Sequence, residues 1–183
     1  MEPVCLNRYN TLFLMIDVQE KLIPAVPNGE AVAKASKQLL KSAQVLGIPI
    51  VVTEQYPKGL GQTHAELTEL VTDCPKVTKT TFSCFGAPEF EGILTQADRK
   101  TIVLWGIESH VCIFATAMEL KKRGYEVVVA YEACGSRKRE HLEVAMRNLL
   151  AAGIAVLPVE TIVYQLMAKS GTPEFKALLP VFK

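Results

Sequence analysis

Three reactive side chains stand where apolar stretches of the sequence end. Asp17 follows the apolar run of residues 11–16, Glu54 follows residues 48–53, and Cys112 comes directly before a helical pattern. In parallel α/β sheets, reactive groups gather at the carboxyl ends of the strands. A carboxylate placed there can act as a general acid or base, and a thiol can act as a nucleophile. The pattern favours such chemistry at one edge of a sheet.

Each candidate also has a purely structural interpretation. The Asp17 carboxylate could satisfy backbone donors of the following turn, and Cys112 could pack as a small apolar residue. The partial positive charge of a helix N-terminus favours a thiolate, and this predicts a reactive Cys112. Cys84 stays undecided because it lies near Lys79 in sequence. Lys79 itself reads as a surface lysine unless it begins inside an extended segment.

No other motif offers a competing site. His64, His110 and His141 are too scattered for a Ser-His-Asp triad, and no pair of them has helical metal-ligand spacing. Gly59 and Gly61 lack the strand, the helix and the full spacing of a dinucleotide-binding loop. We therefore expect neither a metal nor a cofactor.

The composition excludes several classes of partner. The 183 residues include 20 Lys+Arg and 19 Asp+Glu, which gives no field for a polyanion, so no nucleic acid is expected. The apolar runs are far shorter than the roughly 20 residues that span a bilayer, so no membrane is expected either. The five cysteines form an odd set without a C-x-x-C pair, and residues 1–10 lack a signal-peptide pattern. These features predict reduced thiols, a cytoplasmic location and a small-molecule substrate.

Strand-like and helix-like segments alternate along the chain. The predicted strands cover residues 11–16, 48–53, 100–105, 125–131 and 154–159, and the predicted helices cover about 32–46, 112–123, 137–152 and 161–168. Such alternation requires right-handed crossovers onto a parallel sheet with helices on both faces. No repeat or linker divides the chain, so one domain over residues 1–183 is expected. Residues 56–88 depart from the alternation and are typical of binding loops.

Three separated segments give the chain a family resemblance. They are residues 14–19, residues 79–85, and residues 106–112 with Thr116 and Ala117 behind them. Together they resemble the isochorismatase-like hydrolases over nearly the whole length. Residues 53–61, 135–137 and 165–166 are similar to the isochorismatase domain-containing subgroup. The resemblance implies a three-layer α/β/α Rossmann-like fold with a six-stranded parallel sheet.

The same resemblance implies a catalytic triad. Asp17 would be the general acid and base, Lys79 its cationic companion, and Cys112 the nucleophile. The backbone N–H groups of Glu108 and Cys112 would form the oxyanion hole, aimed by a cis peptide bond between Ile107 and Glu108. The implied activity is cysteine-dependent hydrolysis of a small amide, ureido or related acyl substrate through a thioester.

The segment after the second strand bears on metal and substrate binding. Metal-binding members of the family carry Asp and His residues there, whereas this chain has Glu54, Gln55 and Tyr56, which speaks against a metal. Around the triad, substrate contacts are expected from Gln19, Gln55, Tyr56 and Phe82.

Several alternatives stay open from the sequence alone. One is vinyl-ether cleavage of the isochorismate type, although Cys112 favours acyl chemistry. Another is a redox role in which Cys84 resolves an oxidised Cys112, and a third is a non-catalytic interaction protein. A homo-oligomer is expected from the habit of the family and from an apolar C-terminal segment that contains Phe175, Leu178, Leu179, Val181 and Phe182.

Overall fold

Six parallel strands form one sheet in the order β3-β2-β1-β4-β5-β6. The structure is a computed structural model that describes residues 4–183. Its strands are β1 (Thr11–Ile16), β2 (Ile50–Gln55), β3 (Lys76–Lys79), β4 (Thr101–Ile107), β5 (Glu126–Gly135) and β6 (Ala155–Leu157). Strand β1 is entirely buried, as a strand covered on both faces should be.

Within residues 4–183, eight α-helices connect and follow these strands. They are α1 (Gly29–Leu46), α2 (Pro57–Leu60), α3 (Ala65–Thr68), α4 (Phe90–Ala97), α5 (Phe114–Lys122), α6 (Arg139–Ala151), α7 (Val159–Met167) and α8 (Pro173–Leu178). Short 3₁₀ turns occur at Ile23–Ala25, Glu69–Val71, Cys84–Gly86 and Leu179–Val181, and one π-helical turn covers Ser109–Ile113.

The helices form a layer on each face of the sheet. Helix α1 packs with α7 and α8, whereas α5 packs with α6. Right-handed crossovers put these two groups on opposite faces, because the chain moves outward from β1 in one direction and from β4 in the other. The predicted three-layer α/β/α architecture with six parallel strands is confirmed.

Most element boundaries follow from local chemistry. Helix α1 ends where predicted, because Gly47 adopts a left-handed conformation (φ 68°) and its N–H bonds to the Ala43 carbonyl. Strand β2 begins two residues later than predicted, after Pro49, which has no N–H to donate to the sheet. Strand β3 is a short edge strand whose residues alternate between exposed and buried, and Lys79 is one of its two buried residues.

The pairing of β1 with β4 determines where the carboxyl ends of the two strands meet. Ile16 pairs with Gly106 in the register of these strands. A Cβ atom on Gly106 would lie 1.8 Å from the Ile16 carbonyl oxygen, and Gly106 has a φ of 136°. Only glycine allows this close approach. It brings the residue after β1 close to the loop that follows β4.

The C-terminal segment packs on its own chain. Leu178 is 1% exposed, and Val181 and Phe182 pack against the core. The Tyr164 ring makes edge contacts with Phe175 and Phe182. Leu178 is thus buried, whereas Phe175, Leu179, Val181 and Phe182 are half-buried, so the segment leaves less apolar surface for oligomerisation than expected. Within residues 4–183, no helix has the length and apolar character that a membrane crossing requires.

Candidate active site

Asp17, Lys79 and Cys112 come together at the carboxyl edge of the sheet. Asp17 follows β1, Lys79 ends β3, and Cys112 lies in the π-helical turn after β4. The Lys79 Nζ atom lies 2.6 Å from Asp17 Oδ2, and the Cys112 thiol lies close enough to the Asp17 carboxylate for that carboxylate to raise its pKa. The residues are almost closed to solvent, with exposed fractions of 0%, 3% and 6% respectively.

Asp17 is held by both of its carboxylate oxygens. The Thr53 hydroxyl donates to Oδ1 at 2.6 Å, and the Lys79 ammonium donates to Oδ2. The Asp17 N–H donates to the Thr53 carbonyl at 3.1 Å, so β2 also fixes the backbone. Asp17 has a left-handed conformation with a φ of 55°, which turns the chain sharply at the end of β1.

The Lys79 ammonium is fully engaged inside the protein. It donates to Asp17 Oδ2, to Gln55 Oε1 at 2.7 Å, and at 3.3 to 3.5 Å to the carbonyls of Thr81 and Phe82. Burial works to lower the pKa of Lys79, but Asp17, followed by Cys112, outweighs it and the pKa is raised. Lys79 therefore stays charged and donates a hydrogen bond to the Asp17 carboxylate.

Cys112 holds its proton in the resting state. Burial is the largest cause that raises its pKa to about 12, the Asp17 charge raises it further, and Lys79 opposes both. The α-helix begins only at Phe114, beyond the π-helical turn. The expectation of a stabilised thiolate was therefore wrong, because burial and Asp17 outweigh the ammonium. Cys112 is a thiol with a carboxylate base beside it.

The loop that carries Cys112 is fastened to the end of β5. The Glu108 carboxylate accepts from the Arg137 N–H and Nε, both at 3.0 Å. The Ser109 hydroxyl donates to the Gly135 carbonyl at 2.9 Å, and His110 Nδ1 lies 3.0 Å from the Ser136 hydroxyl. The expected cis peptide bond between Ile107 and Glu108 is present.

Gln19 has a different position from the one expected of a substrate contact. Its side chain is fully buried. Its Oε1 accepts from the Gln55 N–H at 2.7 Å, and its Nε2 donates to the carbonyls of Gln55 and Gly61 at 3.0 and 2.6 Å. Gln19 thus fixes the backbone around Gln55, and Gln55 in turn accepts from Lys79.

Two aromatic rings lie on the β2–β3 side of the triad. Tyr56 is 54% exposed and Phe82 is 62% exposed. Their backbones are bound to Lys79, because the Tyr56 N–H donates to the Lys79 carbonyl at 2.8 Å and the Phe82 carbonyl accepts from its ammonium. Both rings are thus open to solvent beside a buried triad.

The buried Glu54 carboxylate already has hydrogen-bond and ion-pair partners within the protein. Its Oε1 accepts from the Thr63 N–H at 2.8 Å and from the Thr63 hydroxyl at 2.7 Å, and it pairs with Lys76 at 3.3 Å. Its role is to hold the loop after β2 against the sheet. Across residues 4–183 no three His, Cys, Asp or Glu side chains are grouped so that they could hold a metal ion. The absence of a catalytic metal remains a prediction.

The sequence analysis left Cys84 undecided and gave no role to Thr53 or Thr116. Thr53 bonds to Asp17, and Thr116 on α5 bonds to the buried Cys84. Thr53 could have been identified from the sequence, because it is a polar residue near the carboxyl end of the strand next to the one that Asp17 follows. Thr116 could have been identified too, since it lies four residues after Cys112 and shares its helical face.

Comparisons with known proteins identify the family of the chain. A family model described as Isochorismatase domain matches residues 11–161. Isochorismatase domain-containing protein 1 of Danio rerio is 36% identical over 97% of this chain, which spans only 62% of that relative. Isochorismatase domain-containing protein 2 of Xenopus laevis is 35% identical over 93% of this chain and 82% of the relative.

Solved structures share the fold. The MAR1 ribonuclease of Caenorhabditis elegans is 32% identical, with a TM-score of 0.91 over 97% of this chain and 92% of that one. The YcaC gene product of Escherichia coli, described as an octameric hydrolase of unknown specificity, has a TM-score of 0.92 over 100% of this chain and 91% of that one. Its 19% identity shows the fold alone. From the family match and these relatives, the chain belongs to the isochorismatase family.

Proposed function

We propose that the protein hydrolyses a small, uncharged amide, ureido or related acyl substrate through a thioester on Cys112. The observation that carries this proposal is the Asp17 carboxylate, which is bonded to Lys79 on one oxygen and contacts the Cys112 thiol. A protonated nucleophile beside an ionised base is the arrangement that nucleophilic catalysis requires.

In the first half-reaction, Asp17 removes the Cys112 proton as the sulfur attacks the substrate carbonyl carbon. The carbon–sulfur bond forms, and the carbonyl electron pair moves onto oxygen. Asp17 then gives the same proton to the leaving nitrogen as the carbon–nitrogen bond breaks, which leaves a thioester and a neutral amine. Lys79 favours the ionised form of Asp17 before the first transfer and after the second.

In the second half-reaction, water attacks the thioester while Asp17 takes one of its protons. The carbon–sulfur bond breaks, and Asp17 returns the proton to the sulfur, so the thiol and the acid product result. The developing oxyanion needs preorganised donors. We assign this role to the backbone N–H groups of Glu108 and Cys112, in the loop that Arg137 and Ser109 fasten to β5.

The charges around the site favour an uncharged substrate. The Lys79 ammonium donates all its hydrogen bonds to acceptors within the protein, and Arg137 forms an ion pair with Glu108. Recognition of a dicarboxylate such as isochorismate would require free cations, preferably a bidentate guanidinium. We therefore prefer acyl chemistry to vinyl-ether cleavage. The exposed rings of Tyr56 and Phe82 and the amide of Gln55 are our proposed contacts for the body of the substrate.

Two rival functions make different demands on the same side chains. A redox role would need a reactive thiolate, and burial raises the pKa of both Cys84 and Cys112 to about 12. The Caenorhabditis elegans relative is described as a ribonuclease. An RNA substrate would need a basic surface, whereas the chain carries a net charge of only +1. We therefore propose that no nucleic acid binds.

The test is a screen of purified protein against small amides, ureido compounds and esters, with matched carboxylated analogues and an unstructured RNA. We expect turnover of uncharged acyl compounds at least tenfold above that of the carboxylated analogues in kcat/KM. Rapid quenching and mass spectrometry should show the acyl mass on the Cys112 peptide and none in Cys112→Ala. Preferred turnover of the dicarboxylates or of the RNA would refute the proposal.

We further propose that the protein acts as a homo-oligomer in a reducing compartment such as the cytoplasm. Apolar side chains of α5 and α6 are exposed, namely Met118, Val144 and Leu150. A related fold is described as octameric, which supports assembly in a general way. All five cysteines are unpaired, and Cys112 must stay reduced to act.

A further inference from the structure

Buried polar groups surround Asp17. The Thr53 hydroxyl donates to Asp17 Oδ1 at 2.6 Å. The Thr116 hydroxyl on α5 lies 3.3 Å from the sulfur of the buried Cys84. The Cys84 N–H also donates to Thr116 Oγ1 at 3.1 Å. None of these four side chains is more than 1% exposed.

The Thr53 hydroxyl has one proton, and the 2.6 Å contact commits that proton to the Asp17 carboxylate. Burial raises the pKa of Cys84 to about 12, so Cys84 is a neutral thiol. The Thr116 hydroxyl donates to the Cys84 sulfur.

We infer that Thr53 is a positioning residue for the general base. Thr53 touches neither the substrate nor the reacting atoms. It acts by stabilising the ionised carboxylate and by fixing Oδ1, so that the carboxylate keeps one orientation towards Cys112. This inference deepens the proposed function and rests on it for its catalytic consequence.

The other groups that face Asp17 must be considered as well. Lys79 from β3 favours the ionised carboxylate, and its contact survives any change at Thr53. Cys112 and Cys84 face Asp17 as neutral thiols. A neutral hydroxyl that donates to a charged carboxylate contributes enough to move a titration by about one pH unit. Thr53 is therefore the group whose loss should shift the protonation of Asp17 while the ion pair is still present.

The test is carbon-13 NMR of protein labelled at the aspartate side-chain carboxyl carbons. The chain has only three aspartates, Asp17, Asp73 and Asp98, so assignment needs few variants. In Thr53→Val, the pH at which the Asp17 resonance moves halfway should rise by about one unit. Thr53→Ser keeps the hydroxyl and should stay close to the wild type. The Asp73 and Asp98 resonances are internal controls and should not change.

Thr53→Ala removes the same hydroxyl and covers the case in which Thr53→Val does not fold. It should move the Asp17 transition in the same direction. The acid limb of kcat/KM should follow the NMR transition in each variant. If the wild type hydrolyses nothing but the NMR shifts appear, the proposed function fails and the positioning role stands. The inference is overturned if the Asp17 transition is unmoved in Thr53→Val and in Thr53→Ala, or if Thr53→Ser moves it as far as valine does.

Discussion

Lys79 Nζ lies 2.6 Å from Asp17 Oδ2, and neither side chain is exposed to solvent at all. The two residues are 62 positions apart in sequence and belong to strands separated by β2 in the sheet. A buried ion pair does not by itself stabilise a fold, because desolvation of both charges is costly. Its presence here fits the chemical task of keeping a carboxylate ionised where water is excluded.

This pairing predicts a large loss of stability when one partner is removed. Lys79→Met should lower the free energy of unfolding by about 3–5 kcal/mol, because it leaves the Asp17 charge buried and unpaired. Lys37→Met removes the exposed pair with Glu66 and should cost less than about 1 kcal/mol. Urea unfolding followed by circular dichroism measures both. A double variant that adds Asp17→Asn should recover much of the loss, and a cost that stayed additive would contradict the interpretation.

The buried thiol predicts slow alkylation of the resting protein. At pH 7, iodoacetamide should label exposed Cys5 before Cys112, because burial and Asp17 raise the pKa of Cys112 to about 12. Labelling of Cys112 should rise as the pH increases, which peptide mapping at a series of pH values would show. Preferential labelling of Cys112 at pH 7 would mean that Lys79 outweighs burial after all.

Asp17→Asn should separate the reactivity of the thiol from turnover. The substitution removes the proton acceptor and donor, so kcat should fall at least about 100-fold. It also removes a charge that raises the pKa of Cys112, so alkylation should persist or become faster. Cys112→Ala serves as the control that abolishes both. Parallel loss of turnover and alkylation in a folded Asp17→Asn variant would argue against the assigned role.

Glu54 predicts a pH-dependent contribution to stability. Burial opposes its charge, but the bonds from Thr63 and then Lys76 prevail and lower the pKa of Glu54. A lowered pKa in the folded state gives stability above the unfolded pKa of about 4.3, and this stability is lost as the pH falls through the folded value. Glu54→Gln should cost about 1–2 kcal/mol at pH 7 and progressively less below about pH 4. Denaturant unfolding at both pH values checks this, and an equal cost at both would contradict it.

The bonds of the Glu54 carboxylate to Thr63 and Lys76 also predict that hydrolysis does not depend on a metal. The neighbours of Glu54 are Gln55 and Tyr56 in place of strong metal ligands. Dialysis against a chelator should leave hydrolysis unchanged, and added zinc should not increase it. Elemental analysis of the same samples provides the control. A loss of activity on chelation that zinc restores would show that the interpretation is wrong.

Five of the six strands, all except β3, could be located from the sequence, because apolar runs encode burial directly. Strand β3 could not be delimited, since four residues at a sheet edge carry only a weak alternation. Helices α2, α3 and α8 are six residues or fewer, too short for a helical periodicity to show. Helix α4 lies just beyond the irregular segment and was missed as well.

The positions of Asp17, Lys79 and Cys112 were available from the sequence, but the protonation of Cys112 was not. The pKa of Cys112 is raised by burial and by the Asp17 charge and lowered by Lys79. The sequence around Cys112 indicates only that it lies near the start of a helix. Gln19 was misjudged for a similar reason. A glutamine near a catalytic carboxylate suggests substrate contact. Here both the oxygen and the nitrogen of the Gln19 amide are hydrogen-bonded to backbone groups of Gln55 and Gly61.

The way in which Tyr56 and Phe82 are attached has an evolutionary consequence. Each residue is held through its backbone, which bonds to Lys79, while its side chain extends into solvent. Replacement of either ring therefore leaves the supports of the triad unchanged. If both rings contact the substrate as we propose, single substitutions at these two positions would change substrate preference without loss of the chemistry at the triad. A protein built in this way could keep one reaction while what it accepts diverges.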